Sequence, residues 1–137
     1  MFTEPQLRLT HRATMAMLSA AIAAAEGIGQ PQCIVIVDAS GESLAELRMT
    51  GAKFLSLKSA RAKARTAAST GAPSGDIPDA VAPLIALATE GAVTGLGGGL
   101  PIHVGDQLVG GIGIGSGRPD QDIAVAEAAL AALTSAS

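Results

Sequence analysis

A run of glycines interspersed with aliphatic residues, residues 95–117, constrains the fold of this chain more than any other stretch. Its second part is rich in isoleucine, valine and leucine, which favour strands, so the run predicts a glycine-rich loop followed by a β-hairpin. Gly105 and Asp106 fit a two-residue turn, because glycine takes a positive φ at little cost. That turn pairs His103 with Leu108 and Ile102 with Val109.

Strict alternation along this hairpin assigns its side chains to two faces. One face carries His103, Leu108, Ile112 and Ile114, and the other carries aliphatic residues together with a row of glycines. Both faces therefore look covered, and His103 is predicted to be shielded from solvent. A glycine row on a strand lets another backbone or a ligand approach closely.

The remaining elements follow from apolar periodicity and from helix-capping residues, with Thr10 as the first N-cap. The predicted elements are helix 11–26, strands 32–38 and 43–49, helix 54–70, a shorter helix 76–89 and helix 119–135. Residues 1–137 are expected to form a single α+β domain. This order implies an antiparallel sheet with helices on both faces, three layers in all.

Composition excludes several classes of protein. A net charge of −3 and the absence of Trp and Tyr argue against nucleic-acid binding, which needs a basic surface or stacking platforms. Cys33, the single cysteine, lies in an apolar strand and is interpreted as an inert buried thiol. Two histidines and one cysteine lack metal-ligand spacing, so no metal site is predicted. The apolar run 13–25 is interpreted as a helix rather than a secretory signal, which favours a cytoplasmic protein without a membrane span.

Lys63 is the most informative single position. On the wheel of helix 54–70, Lys58, Arg61 and Arg65 form a solvated face, whereas Lys63 points the opposite way among small residues. A lysine turned away from the charged face must reach solvent along its stem, find an acidic partner or line a cavity.

Several stretches in the same order resemble the GlcG/HbpS family, which includes the C-terminal domain of PduO-type proteins. The matching stretches are residues 9–10 with the alanine-rich helix, 35–41, 48–49, 51–52, 62–67, 98–102, 109–114 and 119–122. The resemblance implies a profilin-like α/β/α fold with a five-stranded antiparallel sheet, assembled as a dimer or larger homo-oligomer. It also implies haem or corrinoid binding in some members, and a setting beside enzymes of small-molecule catabolism. Thr50 and the scarcity of aromatic residues depart from this pattern.

The candidate functional residues divide by chemistry. His103 and His11 are candidate haem ligands, and His103 is also a candidate general base. The backbone N–H groups of Gly97, Gly98 and Gly99 can hold an anion, although a packed histidine layer and simple loop glycines are the plainer interpretations. Lys63 can pair with a carboxylate or propionate of a ligand, or act as a base or Schiff-base amine.

The methionines offer a further ligand type. Met49, like Met15 and Met17, is either core filler or a thioether ligand for a bound molecule.

Two functions follow from these residues. The first is a small-molecule-binding protein that takes haem or another anionic ligand between the Lys63 helix and the loop of Gly97–Gly99. The second is a small enzyme without an organic cofactor, an isomerase, lyase or hydrolase, in which Lys63 and His103 act as acid and base on an organic acid.

Overall fold

The computed structural model describes residues 1–136 as four α-helices around one antiparallel sheet. The elements are α1 (His11–Gly27), β1 (Cys33–Asp38), β2 (Ser43–Arg48), α2 (Leu55–Thr70), a 3-10 turn (Ser74–Asp76), α3 (Ala82–Ala88), β3 (Gly99–Val104), β4 (Gln107–Gly115) and α4 (Pro119–Ala136). The predicted long helices and both hairpins are confirmed. Thr10 caps α1, since its side chain accepts a hydrogen bond from the N–H of Ala13.

The predicted helix 76–89 is wrong over its first half. A 3-10 turn ends at Asp76, and α3 begins only at Ala82, with Pro83 in its first turn. Pro78 disfavours a helical conformation in the residue before it, so the chain bends here and the helix starts late.

The sheet has the strand order β2-β1-β4-β3 with every neighbouring pair antiparallel. The family resemblance implied five strands, but the described residues form four. Residues 89–98 lead into β3 as an irregular loop in which Gly91 and Gly98 have positive φ values. These glycines offer no side chains to stabilise another strand.

The β3–β4 hairpin is confirmed in its turn and wrong in part of its register. Gly105 has a φ of 59°, and His103 pairs with Leu108 as predicted. However, Ile102 pairs with Gly110, so that Val109 forms a β-bulge. A bulge adds one residue to a strand and reverses the alternation of faces beyond it.

The bulge changes the environment of His103. Ile102 joins Ile112 and Ile114 in the core, whereas His103 and Leu108 share the opposite face. His103 is therefore exposed, and the expectation that it is shielded is wrong.

Two hydrophobic cores lie on the two faces of the sheet. The larger packs α1 and α4 against aliphatic side chains such as Ile34, Ile36 and Ile112. The smaller packs α2 through Ala60, Ala64 and other small residues. There the glycines of β4 bring the helix backbone onto the strand, as the glycine row predicted.

Cys33 lies in this smaller core. Its thiol donates a hydrogen bond to the carbonyl of Lys53 at 3.4 Å, and burial raises the pKa of the thiol. A thiol with a raised pKa holds little thiolate at neutral pH, which agrees with the interpretation of an inert residue. Within residues 1–136, no helix combines the length and the hydropathy that a membrane crossing requires.

Candidate functional site

Lys63 lies in the middle of α2 and is 5% exposed. Its Nζ donates to the carbonyl of Ile114 at 2.8 Å and to Oδ2 of Asp122 at 3.1 Å. Of the three alternatives that the sequence left open, the acidic partner is present. An ammonium group has three protons, and the third finds no hydrogen-bond acceptor in the described part of the chain.

Asp122 holds this lysine from the first turn of α4. It is 2% exposed, and its second carboxylate oxygen accepts a hydrogen bond from the N–H of Gly117 at 3.1 Å. A carboxylate is also favoured at a helix N-terminus by the helix dipole. The sequence analysis included Asp122 only within the stretch 119–122 that resembles the family. Its partner is 59 positions away along the chain, so no local spacing connects the two residues.

Gly98 and Gly99, at the start of β3, are required by close packing around this ion pair. Gly98 has a φ of 121°, and a Cβ at this position would lie 2.8 Å from the carbonyl oxygen of Ile114 and 3.1 Å from Nζ of Lys63. A Cβ at Gly99 would meet the backbone carbonyl of Lys63. The N–H of Gly99 already donates to Oγ of Ser74 at 2.9 Å, so it is not available to an anion.

A cavity of about 280 Å³ opens between α2 and the glycine loop, with Lys63 and Asp122 in its wall. We refer to it as the Lys63 cavity. Gly97 lines it, whereas Gly98 and Gly99 do not. Its polar lining residues are three serines, two lysines and one aspartate, namely Ser56, Ser59, Ser116, Lys53, Lys63 and Asp122.

Ser116 in the cavity wall has a strained backbone. Its φ of 88° is rarely adopted by a residue with a side chain, and such strain costs on the order of 1–3 kcal/mol. Two hydrogen bonds, one to the side chain and one to the carbonyl of Ser116, stabilise this conformation. Oγ of Ser116 accepts from the N–H of Lys53 at 2.9 Å, and its carbonyl accepts from the side chain of Gln30 at 3.1 Å. Strained residues of this kind concentrate at functional sites.

Gln32 is a second unusual group behind the cavity wall. It is fully buried, and neither its amide nitrogen nor its amide oxygen has a hydrogen-bond partner in the described residues. A Cβ placed on Gly117 would lie 2.8 Å from both Nε2 of Gln32 and Oδ1 of Asp122, so the two side chains converge there. An unpaired buried amide costs about 1–3 kcal/mol. Neither Gln32 nor Ser116 was singled out by sequence, because burial and φ depend on the fold.

His103 lies far from Lys63. Nζ of Lys63 is beside Gly98, and His103 is five residues further along, which is about 16 Å at the rise of a strand. No small substrate touches both side chains within one chain. The structure therefore does not bring together the acid and base of the predicted enzyme.

Two of the candidate haem ligands, His11 and Met49, lie far apart. His11 is exposed at the start of α1. Met49 lines a different cavity of about 560 Å³, together with Glu26 near the end of the same helix. Glu26 is fifteen positions after His11, which is about 22 Å along the helix. Among residues 1–136, no group of three His, Cys, Asp or Glu side chains is placed to hold a metal ion.

The four-stranded antiparallel sheet, the helices on both faces and the buried lysine beside a glycine loop define a class of small α+β protein with a polar cavity. The comparison with known protein families then identifies the family to which the chain belongs. Residues 9–131 match the family described as haem degrading protein HbpS-like, and the chain belongs to this family. The resemblance inferred from the sequence is thereby confirmed.

Individual relatives cover the chain almost completely. The chain is 34% identical over 135 residues to the corrinoid adenosyltransferase PduO of Citrobacter freundii, which covers 95% of this chain. The chain spans only 40% of the length of that protein.

Two solved structures have the same fold over most of their length. Protein ORFY of Klebsiella pneumoniae has a TM-score of 0.91 at 28% identity, covering 98% of this chain and 97% of its own. A PduOC:haem complex has a TM-score of 0.86 at 30% identity, covering 92% and 95% respectively.

Proposed function

We propose that this protein binds a small anionic molecule in the Lys63 cavity. The observation that carries the proposal is a buried ammonium group that lines a polar cavity with one N–H unused. Asp122 compensates the charge of Lys63, and Lys53 adds a second cation at the same cavity. Two ammonium groups against one carboxylate favour a ligand that brings a negative charge.

The size of the cavity limits the ligand. Ligand sites commonly occupy about 300–1,000 Å³, and the Lys63 cavity lies just below that range. We therefore propose a ligand of a few non-hydrogen atoms whose charged group contacts Lys53 and Lys63. The hydroxyls of Ser56 and Ser59 would bind its remaining polar atoms. A tetrapyrrole does not fit inside.

An NMR titration tests this proposal with defined probes. We expect millimolar acetate, lactate or inorganic phosphate to shift the amide signals of Ser56, Ser59 and Gly117, and Lys53→Met to weaken this binding about tenfold by removing one charge contact. Lys58→Met, on the solvated face of the same helix, is the matched control and should bind like the wild type. Shifts that avoid the cavity, or that Lys53→Met leaves unchanged, would contradict the proposal.

Of the two residues predicted to act as acid and base in an enzyme, Lys63 lies at the cavity and His103 does not. Lys63 shares its cavity with Asp122, and His103 lies about 16 Å along β3. We therefore propose binding rather than catalysis as the primary role of the cavity.

Haem is a second candidate ligand, favoured by the haem complex of the PduOC relative. Within one chain His11 and Met49 lie apart, so these two residues do not enclose a haem between them. The exposed imidazoles of His11 and His103 are each able to supply one axial nitrogen at the surface. We propose that any haem bound by this chain is held by one of these two histidines.

A hemin titration tests the haem proposal. We expect a saturable Soret band in the wild type, and we expect it to be lost in either His11→Ala or His103→Ala and retained in the other. The retained variant serves as the control, because both substitutions remove an exposed imidazole. A band that survives both substitutions would show that neither histidine holds the haem.

We further propose that the protein acts as a cytoplasmic homo-oligomer with small molecules, rather than nucleic acid or membranes, as ligands. The net charge of −3 and the lack of Trp and Tyr argue against nucleic acid as the ligand. Exposed apolar side chains near the Lys63 cavity support self-association.

A further inference from the structure

Met49 lines a cavity that is twice as large as the Lys63 cavity. Its volume is about 560 Å³, and it lies between the last turns of α1 and the end of β2. We refer to it as the Met49 cavity. Its apolar lining comes from five side chains, those of Ile22, Ala25, Pro31, Leu47 and Met49. A concave site of this size and lining accommodates a small organic molecule with an apolar body.

The polar part of the Met49 cavity offers hydrogen-bond acceptors and no positive charge. Its polar side chains are those of Glu26, Gln30 and Thr50, and none of the described residues that line it is a lysine, arginine or histidine. Glu26 is exposed and forms no ion pair within residues 1–136. An ionised carboxylate only accepts hydrogen bonds, and it accepts them most strongly from a cation. The polar lining therefore favours an occupant with a positive charge.

Glu26 also has the unfavourable sign of charge for its position in α1. It lies in the last turn of the helix, where the helix dipole favours a cation, and this turn contains no basic residue. The negative end of the dipole therefore adds to the charge of the carboxylate. Departures from such local rules are expected at functional sites. A cation bound at the Met49 cavity would compensate both negative charges.

Gln30 supplies a second acceptor in a fixed orientation. Its Nε2 donates to the carbonyl of Pro31 at 2.9 Å and to the carbonyl of Ser116 at 3.1 Å, which uses both amide protons. Only the nitrogen end of an amide suits two carbonyl oxygens, so the positions of its nitrogen and oxygen are not interchangeable. The amide oxygen accepts no hydrogen bond within residues 1–136. It is therefore available to a donor in the cavity.

We infer that the Met49 cavity binds a primary alkylammonium ion. The alkyl chain contacts the apolar lining, and the ammonium group donates to Glu26 and Gln30. A primary ammonium has three protons to donate, whereas a quaternary ammonium has none and is recognised by aromatic rings. No aromatic residue lines this cavity within the described chain. The Met49 and Lys63 cavities share no lining residue, so the inference does not depend on the anion site.

An NMR titration with n-butylammonium tests the inference. We expect millimolar n-butylammonium to shift the amide signals of Gly29, Gln30 and Thr50 in a saturable way. 1-Butanol and butyrate have four carbons as well but no positive charge, and they should bind there about tenfold more weakly or less. Equal binding of either compound would show an apolar hollow without preference for a cation and would overturn the inference. The absence of saturable shifts with n-butylammonium would overturn it too.

Glu26→Gln tests the carboxylate at nearly constant size. It should weaken n-butylammonium binding about tenfold. Its melting temperature should equal or exceed that of the wild type, because a negative charge is removed from the end of α1. A loss of binding is then not a loss of folding. Glu127→Gln removes an exposed carboxylate of α4 outside the cavity and is the matched control. Wild-type affinity in Glu26→Gln would contradict the inference.

Two further measurements separate this site from the anion site and from a contact between chains. Lys53→Met should leave n-butylammonium binding unchanged, since Lys53 lines only the Lys63 cavity, so failure of the acetate experiment does not affect this inference. If a second copy of the chain covers the Met49 cavity, n-butylammonium should bind more weakly as the protein concentration rises. That dependence would overturn the inference, whereas an affinity independent of protein concentration supports it.

Discussion

Gly113→Ala is expected to destabilise the protein by more than about 3 kcal/mol or to prevent folding. A Cβ at Gly113 would fall on the carbonyl oxygen of Ala60 and lie 2.6 Å from the backbone nitrogen of Ala64. Both atoms belong to the backbone of α2, which is unable to rotate away as a side chain does. The helix would have to lift from the sheet, and the smaller core would lose its packing.

Urea unfolding followed by circular dichroism measures this effect. Gly27→Ala is the matched control, because nothing lies within 4 Å of a Cβ at this last residue of α1. The control should be unchanged or more stable by about 0.5–1 kcal/mol, since alanine loses less backbone entropy on folding. A Gly113→Ala protein as stable as this control would show that α2 does not contact the sheet as closely as described.

The close approach of α2 could be predicted from the sequence, whereas the faces of the hairpin could not. Glycines at alternate positions of a strand indicate a neighbouring backbone whatever the register. The bulge at Val109 has no local signature, because the strand residues around it suit a regular ladder equally well. One extra residue then placed His103 on the exposed side and Ile102 in the core.

In the candidate site too, some features could be predicted from the sequence and others could not. The inward direction of Lys63 follows from helical periodicity, which is a local property and was read correctly. Its partner Asp122 depends on how α4 returns across the sheet, and the strain at Ser116 depends on the turn between β4 and α4. Contacts between distant segments are set by tertiary packing, so a single sequence gives no direct sign of them.

Asp122→Ala is expected to cost about 3–5 kcal/mol of stability, because it leaves the Lys63 ammonium buried without its counter-charge. It also removes the acceptor for the N–H of Gly117. Asp120→Ala is the matched control in the same helical turn. Asp120 is exposed and pairs with exposed Arg118, and surface pairs of this kind contribute little to stability because solvent screens them. The melting temperature and the urea midpoint of Asp122→Ala should therefore lie clearly below those of Asp120→Ala.

The double variant Lys63→Met/Asp122→Leu distinguishes a role of the ion pair in stability from a role in anion binding. Replacing both partners of a buried pair with apolar residues is often neutral or stabilising, so this variant should recover most of the stability lost in Asp122→Ala. It should nevertheless fail to bind acetate, because the buried cation of the cavity is gone. If the double variant folds stably and still binds the anion as the wild type does, Lys63 is not the group that recognises it. A stable double variant that has lost binding would mean that the pair is retained for the ligand rather than for the fold.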